Sequence, residues 1–356
     1  MKQMFATPME FRQEVRRLAD TRFDFVAPTR SLGVHTDDTG ETLLLTEGIE
    51  ERFPIRDTAH AQIAARLKIP KQYYDRMRHE QPALLDANVI TWLHASEDVR
   101  LVRCLEGQMR AFLSDRYQRI DHIHILEAID PILADLEAER GLEVVSCGLT
   151  DARMYVKFTI PGLRFEVPRI GDWIQAGFML TNSEIGQGVF GAEGFATVLS
   201  CTNGMTYGQK LSRRHVGGRI VEGDVFSDRT RQLDDATIIS AAQDIVRAAV
   251  DETRFAAFCA RVGETVTTAP SVNPVQTVEI LGQSLSLSEE EQGHVLTAFT
   301  LDAGQNGLGL YGLLNAVTRA SQEVSDYERA TEMEAMGGAL LDTSDREWLR
   351  LAGIAA

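Results

Sequence analysis

Residues 207–219, YGQKLSRRHVGGR, set Lys210, Arg213, Arg214, His215 and Arg219 beside Tyr207, and no acidic residue occurs between Glu193 and Glu222. A second run, RLVRCLEGQMRAFLSDRYQR at 100–119, places Arg100, Arg103, Arg110, Arg116 and Arg119 among Phe112 and Tyr117. Arginine presents a planar fork of N–H donors that matches phosphate, and a neighbouring ring can stack on an unpaired base. Together these residues could grip a single-stranded nucleic acid. The expected contacts are Arg103, Arg110, Arg116, Tyr117 and Arg119 from one run, with Tyr207, Lys210, Arg213, Arg214 and Arg219 from the other. The competing use of the same arginines is internal, in ion pairs with the chain's many carboxylates. On a strand Arg100 and Arg103 point to opposite faces, so the first run need not form one surface.

Other spellings promise less. Gly186-x-Gly188-x-x-Gly191, in TNSEIGQGVFGAEGFATVLSCTNGM, has the form of a dinucleotide fingerprint. That fingerprint needs a helix beginning among the glycines and an acid about 20 residues on. Here the β-branched, alternating GFATVLSCTNG follows, so the glycines are expected in a hairpin loop or bulges, where they permit positive φ. GMTYGQKLS at 204–212 lacks the unbroken Gly-Lys-Ser/Thr of a P-loop, which argues against a strand-exchange ATPase. Asp121, His122 and His124 in DHIH would share a metal on a strand, but a helix start with solvated imidazoles is the simpler expectation. AQIAARLKIPKQYYDRM has the cadence of a helix-turn-helix that would turn Lys71, Gln72 and Arg76 to a major groove. The plainer reading is a helical hairpin with Tyr73, Tyr74 and Met77 in its core. No GxSxG or HExxH spelling is present, so no catalytic residue, metal ligand or cofactor is assigned.

The elements that must position these residues follow from periodicity. Pro8 opens a helix carrying Phe11, Val15 and Leu18, and residues 57–93 read as helical, with Pro70 starting a second helix. VRLVRCLEGQMRAFLS predicts two strands about a turn at Glu106-Gly107. HILEAIDPILADLEAERG predicts an amphipathic helix ended by Gly141, and alternating segments follow to about residue 213. DDATIISAAQDIVRAAVDETRFAAFCARV reads as one long alanine-rich helix, and Ser288 with Glu291 spells a capping box. The expectation is an α+β fold: a β-rich mixed central region with N-terminal helices and a helical C-terminal region. A boundary near residue 230 divides an α+β core, 1–230, from a helical region, 231–356, and the two can pack as one domain.

The net charge of −16 disfavours casual contact with DNA or anionic membranes, so a polyanion site must be a local patch. The four cysteines, Cys104, Cys147, Cys201 and Cys259, form no CxxC pair and suit a reducing compartment. With no apolar leader and no run long enough to span a bilayer, the expected location is the cytoplasm, away from membranes.

IAARLKIPKQYYDRM, VRCLEGQMRAFLSDRYQRID, GFMLTNSEIGQG, LSCTNGM and GLYGLLNAVTRAS resemble, in order, the phage- and plasmid-associated family called domain of unknown function 932. The likeness covers most of residues 55–335, and its most specific pieces are RAFLSDRY, NSEIG and CTNGM. It implies a mobile-element protein in a bacterial host cytoplasm, in the company of DNA-processing genes, and carries over no site residue. The expected function is a non-enzymatic, homo-oligomeric binder of single-stranded DNA suited to ATP-independent strand annealing in recombination. The alternatives are a protein-binding anti-defence or regulatory factor and an unrecognised metal-dependent hydrolase or nuclease.

Overall fold

The first helix begins as its sequence directs. The Thr7 hydroxyl accepts from the Glu10 N–H, Glu10 reaches back to the Thr7 N–H, and Pro8 fills the first helical position. A computed structural model describes residues 3–117, 119–168, 170–188, 190–198, 203–213, 237, 240–241, 243–244, 246–248 and 250–354; at 3, 203 and 207–213 it describes the backbone path alone.

After β1 (Gln3–Met4) and α1 (Pro8–Asp20), the chain builds an N-terminal lobe. Its parts are β2 (Arg22–Pro28), a meander of β3 (Leu32–Thr36), β4 (Thr42–Thr46) and β5 (Ile49–Pro54), and three helices. These are α2 (Asp57–Leu67), α3 (Lys71–Glu80) and α4 (Pro82–His94). Then β6 (Val99–Leu105) and β7 (Gln108–Ser114) join β2 in a three-stranded antiparallel sheet, order β2-β6-β7. The β6–β7 turn falls at Glu106 and Gly107, both in the left-handed region, as a tight hairpin requires. Leu44, Phe53, Ile63, Tyr74, Val89 and Val102 meet in one core. Tyr74 and Met77 are buried as the hairpin reading expects, whereas Tyr73 is exposed. Lys71 and Arg76 pair with Asp75 and Glu80 on the outer face of α3.

A six-stranded antiparallel sheet forms the centre. After α5 (His122–Arg140) come β8 (Glu143–Leu149), β9 (Met154–Glu166), β10 (Trp173–Asn182), β11 (Phe190–Val198) and β12 (Asn203–Arg213), in the order β1-β8-β9-β10-β11-β12. Helices α1 and α5 bury Phe11, Ile125 and Ile129 against Phe158, Phe178 and Leu180. Gly141 ends α5 at positive φ, as expected.

The C-terminal helices are α6 (Glu252–Thr265), α7 (Pro274–Leu285), α8 (Glu289–Leu301), α9 (Ala303–Asn306), α10 (Leu310–Ala320), α11 (Tyr327–Ala339) and α12 (Asp345–Leu351). They share one core with Ile174, Ala196, Val198 and Met205 of the sheet. The fold is thus α+β, with strands in the middle and helices at both ends. Helix α11 crosses β12 so closely that a Cβ on Gly338 would lie 1.8 Å from the Thr206 carbonyl oxygen. Ser288 and Glu291 form the anticipated capping box. The long alanine-rich helix is broken before α6: Asp251 leaves helical geometry and accepts the Arg254 N–H, so a side-chain cap overrides the apolar periodicity. Among the described residues no helix is long and apolar enough to cross a membrane.

Candidate functional site

The loop 183–188 between β10 and β11 is where the two lobes meet. It is a tight, internally bonded turn: the Ser183 hydroxyl accepts from the N–H groups of Ile185 (3.4 Å) and Gln187 (3.2 Å). Gly186 sits at φ +74°, where a Cβ would also meet Leu113 at 2.8 Å. The fingerprint-like glycines therefore close a hairpin, and no helix begins among them.

Around this loop polar side chains of the N-terminal lobe converge. Gln62 of α2 donates to the Ile185 carbonyl (2.7 Å) and accepts from the Phe112 N–H (2.6 Å). The Tyr117 hydroxyl donates to the Ser183 carbonyl at 3.1 Å. Arg103 donates to the Glu184 carbonyl (2.7 Å), to Asp24 (2.9 Å) and to Asp121 (2.6 Å). Asp121, at the start of α5, also pairs with Arg22. Arg110 donates to the Glu184 carboxylate at 2.7 Å, whose other oxygen takes the His122 N–H at 2.6 Å. From the far side Arg153 donates to the Gln187 carbonyl at 2.9 Å.

Two members of the expected interface are therefore corrected. Arg103 is 0% exposed and Arg110 6%, so neither offers its fork to a polyanion in solvent. The reason is the internal use that the sequence left open: each guanidinium is drawn into the lobe junction by carboxylates from distant segments. Burial opposes the charge of Arg103, but Asp121, Asp24 and Glu184 outweigh it and raise its pKa. Burial raises the Glu184 carboxyl, yet the neighbouring His122, then Arg110 and Arg103, and the His122 backbone N–H bring it well below the usual carboxylate range. Arg100 also turns inward: it pairs with Asp98 at 3.3 Å and lies over the Phe112 ring.

The other expected contacts divide. Arg116 and Arg119 are exposed on the segment joining β7 to α5. Tyr117 between them is half-buried, its ring edge beside Gly186, and burial pushes its phenol up. It is an anchored ring, no open platform. Tyr207, Lys210 and Arg213 lie on edge strand β12, and their side chains fall outside the described residues, as do Arg214 and Arg219 altogether. The register places Arg213 opposite Phe190, the first residue of β11 after the loop that Arg153 and Tyr117 hold.

An interlobe cleft of about 800 Å³ opens beside this junction, lined by Arg56, Arg78, Arg110, His122, Thr150 and Glu184 among others. Two nitrogens of Arg110, Nε and Nη2, are buried without a hydrogen-bond partner among the described residues. The Asn182 amide donates to the Ile120 carbonyl and to His122 Nδ1, both at 2.9 Å, which leaves the His122 proton on Nε2. Burial lowers the His122 pKa, opposed by the neighbouring Glu184. His124 is exposed and lies 3.9 Å from Asp121. The helix start separates the two histidines, and among the described residues no three His, Cys, Asp or Glu side chains gather to hold a metal.

Sequence reasoning missed Gln62, Arg153, Asn182 and Glu184. The available signal was NSE, a polar triplet between two apolar strands, which is an unusual composition for a buried turn. Comparison with protein-family models, curated proteins and solved structures returned no match.

Proposed function

We propose that the protein binds single-stranded nucleic acid at the end of the central sheet where β12 finishes, and that the activity this serves is ATP-independent annealing for a mobile element. One observation supports the reading most. The β12 register brings Arg213 opposite Phe190, beside the loop that Arg153 and Tyr117 hold, so the two basic runs approach one end of one sheet. Exposed Arg116 and Arg119 extend that end, and among the described residues Arg116 makes no ion pair. Phosphates held by these arginines leave bases free to pair, and base pairing itself drives annealing without fuel. A homo-oligomer would multiply weak contacts along a strand. The motif likeness to domain of unknown function 932 supplies the mobile-element context.

The test is binding of a fluorescently labelled oligothymidylate across a salt series. Affinity falls steeply with salt, and the slope shrinks by about 0.7 for each phosphate contact removed from a single strand. Arg116→Ala/Arg119→Ala combined with Arg213→Ala/Arg214→Ala therefore lowers the slope by up to roughly 3 if all four touch phosphates. A wild-type protein that ignores the oligonucleotide at low salt defeats the proposal and returns the field to a protein-binding factor.

A second reading, catalysis in the interlobe cleft, is favoured by buried His122 and Glu184 lying side by side next to Arg110, with both pKa values shifted downward. Cleavage of an oligonucleotide or ester that is abolished by His122→Ala and untouched by His124→Ala would select it.

A further inference from the structure

Trp92 and Tyr73 are 54% and 48% exposed, although each belongs to a helix whose neighbouring residues are deeply buried. Helix α4 turns Leu85, Val89 and Leu93 into the lobe core, and α3 does the same with Tyr74 and Met77. The packing of the lobe thus needs neither of the two outer rings. Both line one groove of about 600 Å³, together with Lys68, Pro70 and Asn88. We infer that this groove takes unpaired bases of a single-stranded nucleic acid, stacked on Trp92 and Tyr73, with Lys68 at the phosphate.

The charges around the rings select that occupant. Asp98 lines the groove but is already shared by Arg66 and Arg100. Lys71, next to the groove, is matched by Asp75. Lys68 makes no ion pair among the described residues, so the groove is left positive on a chain of net charge −16. Its position is rigid: Lys68 caps α2 at φ 56°, with its N–H on the Ala64 and Ala65 carbonyls. A lysine in a conformation that favours glycine is strained, and here the strained residue stands at the groove. Asn88 donates its amide nitrogen to the Leu84 carbonyl at 3.0 Å, which leaves its carbonyl oxygen as an acceptor suited to a base N–H such as the ring N3–H of thymine. Two ring faces, one free cation and one amide acceptor are the elements of sequence-tolerant single-strand binding. Aromatic grooves also take proline-rich peptides, but a neutral peptide leaves the lysine unanswered, whereas a phosphodiester complements it.

This inference rests on the single-strand reading above and extends it to the N-terminal lobe. Tryptophan emission tests it. The chain has three tryptophans, of which Trp348 is buried, so in a Trp173→Phe background the exposed reporter is Trp92. Titration with oligothymidylate at low salt quenches that emission, and Trp92→Ala and Tyr73→Ala each weaken binding by about tenfold. Because both rings are exposed, the thermal midpoint of each variant stays at the wild-type value. Arg213→Ala/Arg214→Ala weakens binding yet leaves the quench at saturation. Binding that persists unchanged in Trp92→Ala/Tyr73→Ala overturns the groove assignment while the β12 interface stands. Absence of oligonucleotide binding by the wild type overturns both. A Trp92 response to a proline-rich peptide and none to the oligonucleotide assigns the groove to a protein partner instead.

Discussion

Arg103→Met separates a structural cation from a ligand-binding one. The guanidinium makes three charge-assisted hydrogen bonds, at 2.9 Å to Asp24, 2.6 Å to Asp121 and 2.7 Å to the Glu184 carbonyl, with no exposed surface. Methionine keeps much of the volume and removes every donor. Asp121 retains Arg22 as a partner, but Asp24 is left as a buried carboxylate whose Oδ1 already lacks a hydrogen bond. Breaking a buried pair in this one-sided way costs about 3–5 kcal/mol. Urea unfolding at pH 7 measures it as a lowered midpoint at unchanged slope. Asp24→Asn added to Arg103→Met should recover part of the loss, with a coupling of about 0.5–3 kcal/mol in the double-mutant cycle. Oligonucleotide affinity of the folded fraction should be unaltered. A destabilisation under about 1 kcal/mol, together with a steep loss of affinity, refutes the argument and restores Arg103 to the interface.

His60 is buried against the Tyr74 hydroxyl at 2.9 Å, and burial holds its pKa at about 3. The unfolded chain takes up a proton near pH 6.5 that the folded chain refuses, so stability falls as pH drops from about 6.5 towards 3, by up to roughly 1.4 kcal/mol per pH unit. His60→Gln should flatten that dependence in urea titrations at pH 7, 6 and 5, and equal slopes for both proteins would count against it. Gly338→Ala places a Cβ 1.8 Å from backbone that cannot swing away, so α11 must shift off β12, with a loss of about 3 kcal/mol or more visible as a lowered thermal midpoint. A neutral result there would mean that the helix crosses the strand further out.

Local signals read well from the chain because their physics is local. Pro8, the Glu106-Gly107 turn, Gly141 after α5 and the Ser288/Glu291 box each depend on a few adjacent backbone groups, and each formed where its residues predict. The glycines at 186 and 188 likewise announced a loop. The exposed Tyr73 shows where periodicity stops: its neighbour Tyr74 carries the same apolar surface, and only the rotation of α3 against α2 and α4 decides which ring goes inside.

The arginines mark the same limit at the site. Residue type and spacing determined that the chain is α+β, that two basic runs stand out from an acidic background, and that a phosphate-gripping chemistry was within their reach. Which of those cations face water was decided by tertiary structure. Asp24, Asp121 and Glu184 lie 79, 18 and 81 residues from Arg103, and folding brings all three onto one guanidinium. A buried charge persists only where carboxylates and carbonyls from remote segments close around it, and that closure is a property of the assembled lobes and of no single stretch of sequence.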